Sequence, residues 1–270
     1  MGIVVQNNTE SANEVEFVCN KYDKLKMAKQ TWESHWKELA KYFLPNKQDI
    51  WGGATAGEKR GQEIYDAIGR RSAEKLASAL HGMLTNPSTQ WFSFSTGNTE
   101  LDNDQEVAKW LQESAKAVNT VMNNSNFQPE IHEVYMDLCS LHTAHITTEA
   151  DDQEIVRYKS RPIYHASISE NYKNIVDTNY FESQKSVTNL IEEYGIDNLP
   201  EEVRQIQFSD PLKMYTVIQG IEPTENLPKS LRHPMHPFTS IHILKEHKVV
   251  VKKGGFEENP CAVPRYHLIS

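Results

Sequence analysis

The feature that most constrains the fold of this chain is a long run of helical periodicity near its start. From Glu14 onward, apolar residues recur every three or four positions, at Val15, Val18, Tyr22, Leu25, Ala28, Trp32, Trp36, Leu39 and Phe43. Pro45 ends the pattern, because proline lacks the N–H donor that a helix interior requires. The run predicts a helix of about 30 residues, or ~45 Å, with one apolar stripe buried along its length. Such a helix is long for an ordinary globular domain.

Helical patterns continue through the first half of the chain. Further helices are predicted at residues 62–84, 102–123 and 127–141. In the second helix, the small residues Ala73 and Ala77 indicate a face that packs closely against another helix. Between the second and third helices, "WFSFST" at residues 91–96 predicts a short strand.

The pattern changes after His145. Short segments with partial alternation and β-branched or aromatic residues follow, separated by polar turns, and they predict an antiparallel meander or a small barrel. Gly254-Gly255 predicts the turn of a hairpin. The expected fold class is therefore α+β, with N-terminal long helices in residues 1–145 and a β-rich part in residues 146–270.

The composition limits the functions that this chain can perform. Its net charge is −9, with 37 acidic and 28 basic residues, which argues against a protein that grips nucleic acid through a broad basic face. Cys19, Cys139 and Cys261 are odd in number and far apart, so we expect no disulfide framework. No apolar run approaches the ~18 residues of a membrane helix, and the start lacks a signal-peptide pattern. We expect a soluble intracellular protein without a membrane partner.

Histidine and cysteine spacing raises the possibility of a metal site. Cys139, His142 and His145 stand three apart, as do His233 and His236, and four such ligands could bind zinc. Ligands at successive i+3 positions drift around a helix, however, and cannot all converge on one ion. We therefore interpret these histidines as structural, and we predict no metal and no cofactor.

Of two basic clusters, Arg70-Arg71 on the second helix and a group of lysines near the last predicted hairpin, the second is the candidate for contact with DNA or phosphate. It consists of Lys245, Lys248, Lys252 and Lys253. Lysines on an exposed strand also serve solubility and prevent edge pairing, so both roles stay open. The usual motifs of nucleophilic, metal-dependent and nucleotide-binding enzymes are missing from the sequence. The sequence therefore predicts no enzyme.

The order of the segments resembles a known family. "WESHWKELAKYFLPNKQDIW" and "GQEIYDAIGRRSAEKLASALHGMLTNPSTQWFSF" are similar to the opening of the head-to-tail connector, or portal, proteins of short-tailed, T7-like bacteriophages. The matching positions are Tyr42, Pro45, Asp66, Gly69, Leu76, Ala77, Ser78, Leu80, Gly82, Leu84, Thr85, Pro87, Trp91 and Phe92. "ISENYKNIVDTNY", "LIEEYGIDNLPEEV" and "GGFEENPCAVPRYHL" follow in the family's order, so the resemblance covers nearly the whole chain. The chain departs from the family at "SLHTAHI" and at Lys173-Asn174, where glycine is common.

The resemblance implies a structural role in the virion. It implies a subunit of a twelve-membered homo-oligomeric ring at one capsid vertex, assembled in the host cytoplasm, through which double-stranded DNA is packaged and ejected. The implied partners are the major capsid and scaffolding proteins, the terminase during packaging, and tail adaptor proteins. The matching portion is the N-terminal wing, and the family's stem, clip and crown are expected to follow it. The alternatives are a metal-dependent hydrolase and a monomeric DNA-binding adaptor.

Overall fold

A computed structural model describes residues 9–45, 47, 66–151 and 153–266. The helices are α1 (Thr9–Phe43), α2 (Ile68–Leu84), α3 (Thr99–Asp102), α4 (Gln105–Asn124), α5 (Phe127–Leu141), α6 (Val187–Tyr194) and α7 (Glu201–Gln205). The strands are β1 (Ile146–Asp151), β2 (Ile155–Ser160), β3 (Ala166–Glu170), β4 (Val176–Ser186), β5 (Met214–Pro223), β6 (Phe238–Leu244), β7 (Val249–Phe256) and β8 (Cys261–Ala262). The predicted α+β class is confirmed. In the described part of the chain, no helix is both long enough and apolar enough to cross a membrane.

The chain divides into two compact units. The first unit combines Met1–Ser34 with Ile163–Ala262, and the second combines His35–Pro162 with Val263–Ser270. Helix α1 therefore contributes residues to both units, and the β1–β2 pair belongs with the helices of the second. The predicted boundary between residues 145 and 146 separates the helical part of the sequence from the β-rich part. The assignment of these two parts to the wing of a portal protein stays a prediction.

The first unit is built on an antiparallel sheet. Within the described residues, its strands lie in the order β3-β4-β5-β6-β7, so each pairs with its neighbour in sequence and the predicted meander is confirmed. The sheet has β3 and β7 as its edges and does not close, so the alternative of a small barrel is wrong. Closure would require these edge strands to pair with each other.

Both faces of this sheet are buried. One face packs against α1 in a cluster formed by Val15, Val18, Cys19, Tyr22, Tyr180, Ile218, Leu227, Leu231, Ile241 and Ile243. The other face packs against α6 and α7 in a cluster formed by Val187, Leu190, Tyr194, Leu199, Val203, Tyr215, Val217, Leu244 and Val251. Residues 239–244 of β6 are consequently all buried, including the polar residues Thr239, Ser240 and His242.

The predicted hairpin turn at Gly254-Gly255 is wrong. Both glycines lie within β7, opposite Ser240 and Thr239 of β6, and the turn between these strands is formed by residues 245–248. A Cβ atom at Gly255 would lie 2.8 Å from Cγ of His233 and 2.7 Å from Cδ2 of His236. Glycine is needed at position 255 because two imidazole rings lie against the strand, and not because the chain reverses there.

The second unit is organised by the packing of α2 against α5. Ala73 and Ala77 are 5% and 0% exposed, so the close-packed face predicted from small residues is confirmed. Polar contacts join the same two helices further along, where Nε2 of His81 lies 2.7 Å from Oε1 of Gln128. Strands β1 and β2 form an antiparallel pair in this unit, with Ile146 opposite Ser160.

A substitution on α2 tests this packing. Ala77→Leu should lower the free energy of unfolding by about 1–3 kcal/mol, because the larger side chain has to displace α5. Ala79→Leu on the same helix is the matched control, since Ala79 is exposed and the change should have little effect on stability. Urea denaturation measures both changes, and equal stability of the two variants would contradict close packing at Ala77.

Three predicted elements differ from the structure. The strand predicted at residues 91–96 is irregular chain, in which the Trp91 ring stacks on Phe127 with a centroid distance of 6.2 Å. The helix predicted from residue 102 is α4, and it begins at Gln105. Oδ1 of Asp104 caps it by accepting hydrogen bonds from the backbone N–H groups of Glu106 and Val107. The apolar stripe of α1 is interrupted at Trp32, which is 50% exposed. Of the predicted second helix, residues 62–65 lie outside the described residues.

Candidate functional site

The predicted phosphate-contact lysines lie at the β6–β7 hairpin, and two of them form ion pairs with α1. Nζ of Lys245 lies 3.1 Å from Oδ1 of Asp23, and Nζ of Lys248 lies 2.7 Å from Oε1 of Glu16. The hydrogen bond and the charge of Glu16 raise the pKa of Lys248. These two lysines therefore form exposed ion pairs between the hairpin and α1, contacts that the sequence analysis did not assign to them.

The remaining two lysines of the group lie on β7. Nζ of Lys253 donates a hydrogen bond to the carbonyl oxygen of Ser230 at 3.1 Å, and burial lowers its pKa. Lys252 is exposed, and its side chain has no hydrogen-bond or ionic partner among residues 9–45, 47, 66–151 and 153–266. Lys252 is therefore the best placed of the group to meet a phosphate, and the DNA contact itself stays a prediction.

A buried carboxylate on β5 also anchors α1. Glu222 is 1% exposed, and its two carboxylate oxygens accept hydrogen bonds from the Lys21 ammonium and the Tyr180 hydroxyl. Burial, together with the Glu222 carboxylate, raises the pKa of Tyr180, so this hydroxyl stays a proton donor. A buried carboxylate with an ammonium partner and a hydroxyl donor is satisfied, which makes this network a structural anchor.

A second carboxylate, Glu182 on β4, completes the attachment of α1. It accepts hydrogen bonds from the Tyr22 hydroxyl and from Nζ of Lys26, the latter at 2.7 Å. Burial opposes ionisation of Glu182, but these two hydrogen bonds outweigh it and lower the pKa of the carboxyl. The sequence analysis missed these anchors, although Lys26 stands four residues after Tyr22, directly beside the apolar stripe of the helix.

The pKa of Glu182 predicts how the attachment depends on pH. Because folding lowers the pKa of Glu182, its ionised carboxylate stabilises the folded state at pH values above the unfolded pKa. This contribution is lost as pH falls through the folded pKa. Tyr22→Phe should therefore cost about 1 kcal/mol at neutral pH, and less at acid pH once Glu182 is protonated. Tyr42→Phe is the control, because Tyr42 is 46% exposed. Thermal unfolding of both variants between pH 3 and pH 7 measures the difference, and a pH-independent loss would contradict the assignment.

The second unit contains a buried ion pair of its own. Nζ of Lys47, four residues after α1 ends, lies 2.6 Å from Oδ1 of Asp137 and 2.7 Å from Oε2 of Glu133, both on α5. The side chain of Asp137 is 0% exposed. Burial raises the pKa of Asp137 even though Lys47 opposes this shift, while the two carboxylates raise the pKa of Lys47. The ion pair attaches Lys47 to α5.

The candidate metal ligands do not assemble into a site. His142 ends α5 with a positive φ of 61°, and His145 is buried. The rings of His233 and His236 contact each other, with a centroid distance of 4.5 Å, beside Gly255. Among the described residues, no group of three or more His, Cys, Asp or Glu side chains is arranged to hold a metal ion. The hypothesis of a metal-dependent hydrolase gains no support from these positions.

Large apolar side chains remain exposed in both units. In the second unit, the outer side of α2 exposes Ile68, Leu76 and Met83, which are 69%, 45% and 81% exposed. In the first unit, the segment after α7 exposes Phe208 and Leu212, which are 91% and 76% exposed. Contiguous exposed apolar surface is typical of sites that contact a partner, which makes these two surfaces candidates for such a contact.

Comparison with known proteins assigns the family. The model of the family described as "Bacteriophage head to tail connecting protein" matches residues 18–270. The chain therefore belongs to the bacteriophage head-to-tail connecting proteins, and the resemblance found in the sequence is confirmed.

Two curated relatives match almost the whole chain. The "Probable portal protein" of Bordetella phage BPP-1 is 28% identical over 261 residues, which cover 95% of this chain and 47% of that protein. The "Portal protein" of Salmonella phage epsilon15 is 22% identical over 260 residues, which cover 94% of this chain and 47% of that protein. The chain thus spans about half the length of the curated relatives that it matches.

Proposed function

We propose that this chain is a wing-type portion of a portal subunit, a structural component of the virion at one capsid vertex. The observation that carries the proposal is the family match, which extends over residues 18–270. Portal subunits form a ring around the channel through which double-stranded DNA enters and leaves the capsid. The subunit has no catalytic task in this role and needs no cofactor.

The finer features of the proposal follow from the family. We propose a ring of twelve subunits that is assembled in the host cytoplasm with the major capsid and scaffolding proteins. The terminase binds the ring during packaging, and tail adaptor proteins bind it afterwards. Both curated relatives are named as portal proteins, which supports the portal role on which these finer features depend.

The charge of the chain suits a channel that passes DNA without holding it. Each phosphate that a protein neutralises adds salt-sensitive affinity, which would slow translocation. The net charge of −9 limits such binding, and Lys245, Lys248 and Lys253 are engaged by partners within the chain. We propose that any contact with the passing DNA is weak, is independent of sequence, and involves Lys252.

Electron microscopy of the purified full-length protein tests the proposal. We expect closed rings with a central hole, and only weak retention of duplex DNA by isolated subunits. A monomeric adaptor would instead appear as compact single particles that bind duplex DNA with an affinity falling steeply as salt rises. Particles of that kind, without rings at any protein concentration, would contradict the portal assignment.

A further inference from the structure

A basic helix face and an acidic segment on the same chain are complementary in charge. The basic face, termed here the α2 outer face, consists of Ile68, Arg71, Lys75, Leu76 and Met83, all exposed. The acidic segment is residues 192–213, which contains Glu192, Glu193, Asp197, Glu201, Glu202 and Asp210 against Arg204 and Lys213. The α2 outer face thus combines two cationic and three apolar side chains on a chain whose net charge is −9.

The charged side chains of the α2 outer face form no ion pair with the described residues of their own subunit. Arg70 forms an ion pair with Glu74, with Nε 2.8 Å from Oε1, so its charge is balanced locally. Arg71 and Lys75 have no ionic partner in the part of the chain that the structure describes. The opposite side of α2 is already occupied, because Ala73 and Ala77 are buried. A partner of α2 therefore has to approach from the outer face.

The acidic segment is partnered only in part. Glu193 is balanced by the ammonium of Lys185, and Oε2 of Glu202 lies 3.2 Å from Nδ1 of His247. Glu192 and Glu201 have no cationic partner among the described residues. Phe208 and Leu212 are exposed on the same segment. Beside it lies a pocket of about 510 Å³ that is lined by Ile206, Met214, Tyr215, Glu202, Glu246 and His247, among others. The segment thus combines unpaired carboxylates with apolar surface and a cavity.

We propose that the α2 outer face of one subunit binds the acidic segment of a second copy of this chain. This inference rests on the proposed ring. Contacts that close a ring by rotation are heterologous, so each chain must carry two different faces that complement each other. Duplex DNA fits the α2 outer face less well, because Ile68 and Met83 have no counterpart in a phosphate backbone. A second copy offers both the carboxylates and the apolar side chains.

Charge reversal in the full-length protein tests this pairing. Arg71→Glu with Lys75→Glu should raise the subunit concentration needed for ring formation at least about tenfold, because like charges then face each other. Glu192→Lys with Glu201→Lys should have the same effect. The variant that carries all these changes restores opposite charges and should recover rings. Sedimentation velocity and negative-stain microscopy measure the ring fraction at several protein concentrations.

The matched controls change residues that are balanced within the subunit. Arg70→Glu and Glu113→Lys lie outside the two proposed faces, and each alters the net charge by the same amount as one reversal, so they should leave assembly nearly unchanged. Circular dichroism melts establish that each variant is folded, as expected for exposed positions.

The outcomes separate this inference from the proposed function. If the wild-type protein forms no rings, the portal assignment fails and this pairing fails with it. If the wild-type protein forms rings and the reversals do not weaken them, the pairing is overturned while the portal assignment stands. Loss of rings without recovery in the combined variant also overturns the pairing. If the reversals spare the rings and reduce duplex DNA retention, the α2 outer face contacts DNA instead.

Discussion

Replacing Lys47 with methionine should lower the free energy of unfolding by about 3–5 kcal/mol. Lys47 is the cationic partner of Asp137, whose side chain is fully buried and whose Oδ2 has no hydrogen-bond partner within the described residues. Without the ammonium, a charged carboxylate would remain in the interior with no compensation. Urea denaturation at neutral pH measures the loss, and a change below about 1 kcal/mol would contradict the assignment.

The pH dependence gives this prediction a second measurement. Burial raises the pKa of Asp137, so folding favours its protonated form. This contribution to stability is fully present below the unfolded pKa and is lost as pH rises through the folded pKa. In the Lys47→Met variant, the carboxyl loses the cation that favours its ionised form. The stability deficit should therefore be largest at neutral pH and should shrink as pH falls and Asp137 is protonated.

Two further variants control for simple loss of packing. Arg70→Met breaks the ion pair with Glu74, whose side chains are 47% and 45% exposed, and should cost no more than about 0.5 kcal/mol. Lys47→Met combined with Asp137→Leu removes both charges, and it should recover most of the lost stability because no unpaired charge remains. If the double variant is as unstable as Lys47→Met, the buried charge is not the cause.

The sequence predicted best those elements whose signals come from residues close together in the chain. The fourth helix was predicted from Phe127 to Leu141 and is observed with those bounds, because its apolar periodicity and Pro129 in the first turn are both local signals. The strand at residues 91–96 was predicted on composition alone. It is irregular because a strand requires a hydrogen-bonding neighbour, which composition cannot supply.

The contacts that anchor the candidate site could not be predicted in the same way. Lys245 and Lys248 were identified by composition as candidate phosphate contacts. Their partners, Asp23 and Glu16, lie 222 and 232 residues away in the sequence. Opposite charges so far apart carry no periodic signal, and only the packing of α1 on the sheet brings them together. The portal role could still be predicted, because the family resemblance depends only on the order of motifs along the sequence. It does not require these contacts to be known.

Gly220 shows another determinant that periodicity does not contain, a close approach between neighbouring strands. It lies on β5, opposite Tyr180 of β4, and a Cβ atom there would lie 2.5 Å from Cε1 of the tyrosine ring. The ring has no room to move, because Tyr180 is 0% exposed and its hydroxyl donates a hydrogen bond to Glu222. The absence of a side chain at position 220 therefore allows Tyr180 to fill the core beneath α1.

Gly220→Ala should accordingly lower the free energy of unfolding by about 2–3 kcal/mol, because a rigid core has to shift to admit one methyl group. Gly82→Ala is the matched control: no atom lies within 4 Å of a Cβ at that position in α2. Alanine there should be neutral or should stabilise the helix by up to about 1 kcal/mol. Combining Gly220→Ala with Tyr180→Ala should cost less than the sum of the two single changes, since the clash requires both side chains. Urea denaturation of all four variants measures these differences. Additive losses, or a Gly220→Ala variant as stable as the parent, would show that the Tyr180 ring does not fix the position of this strand.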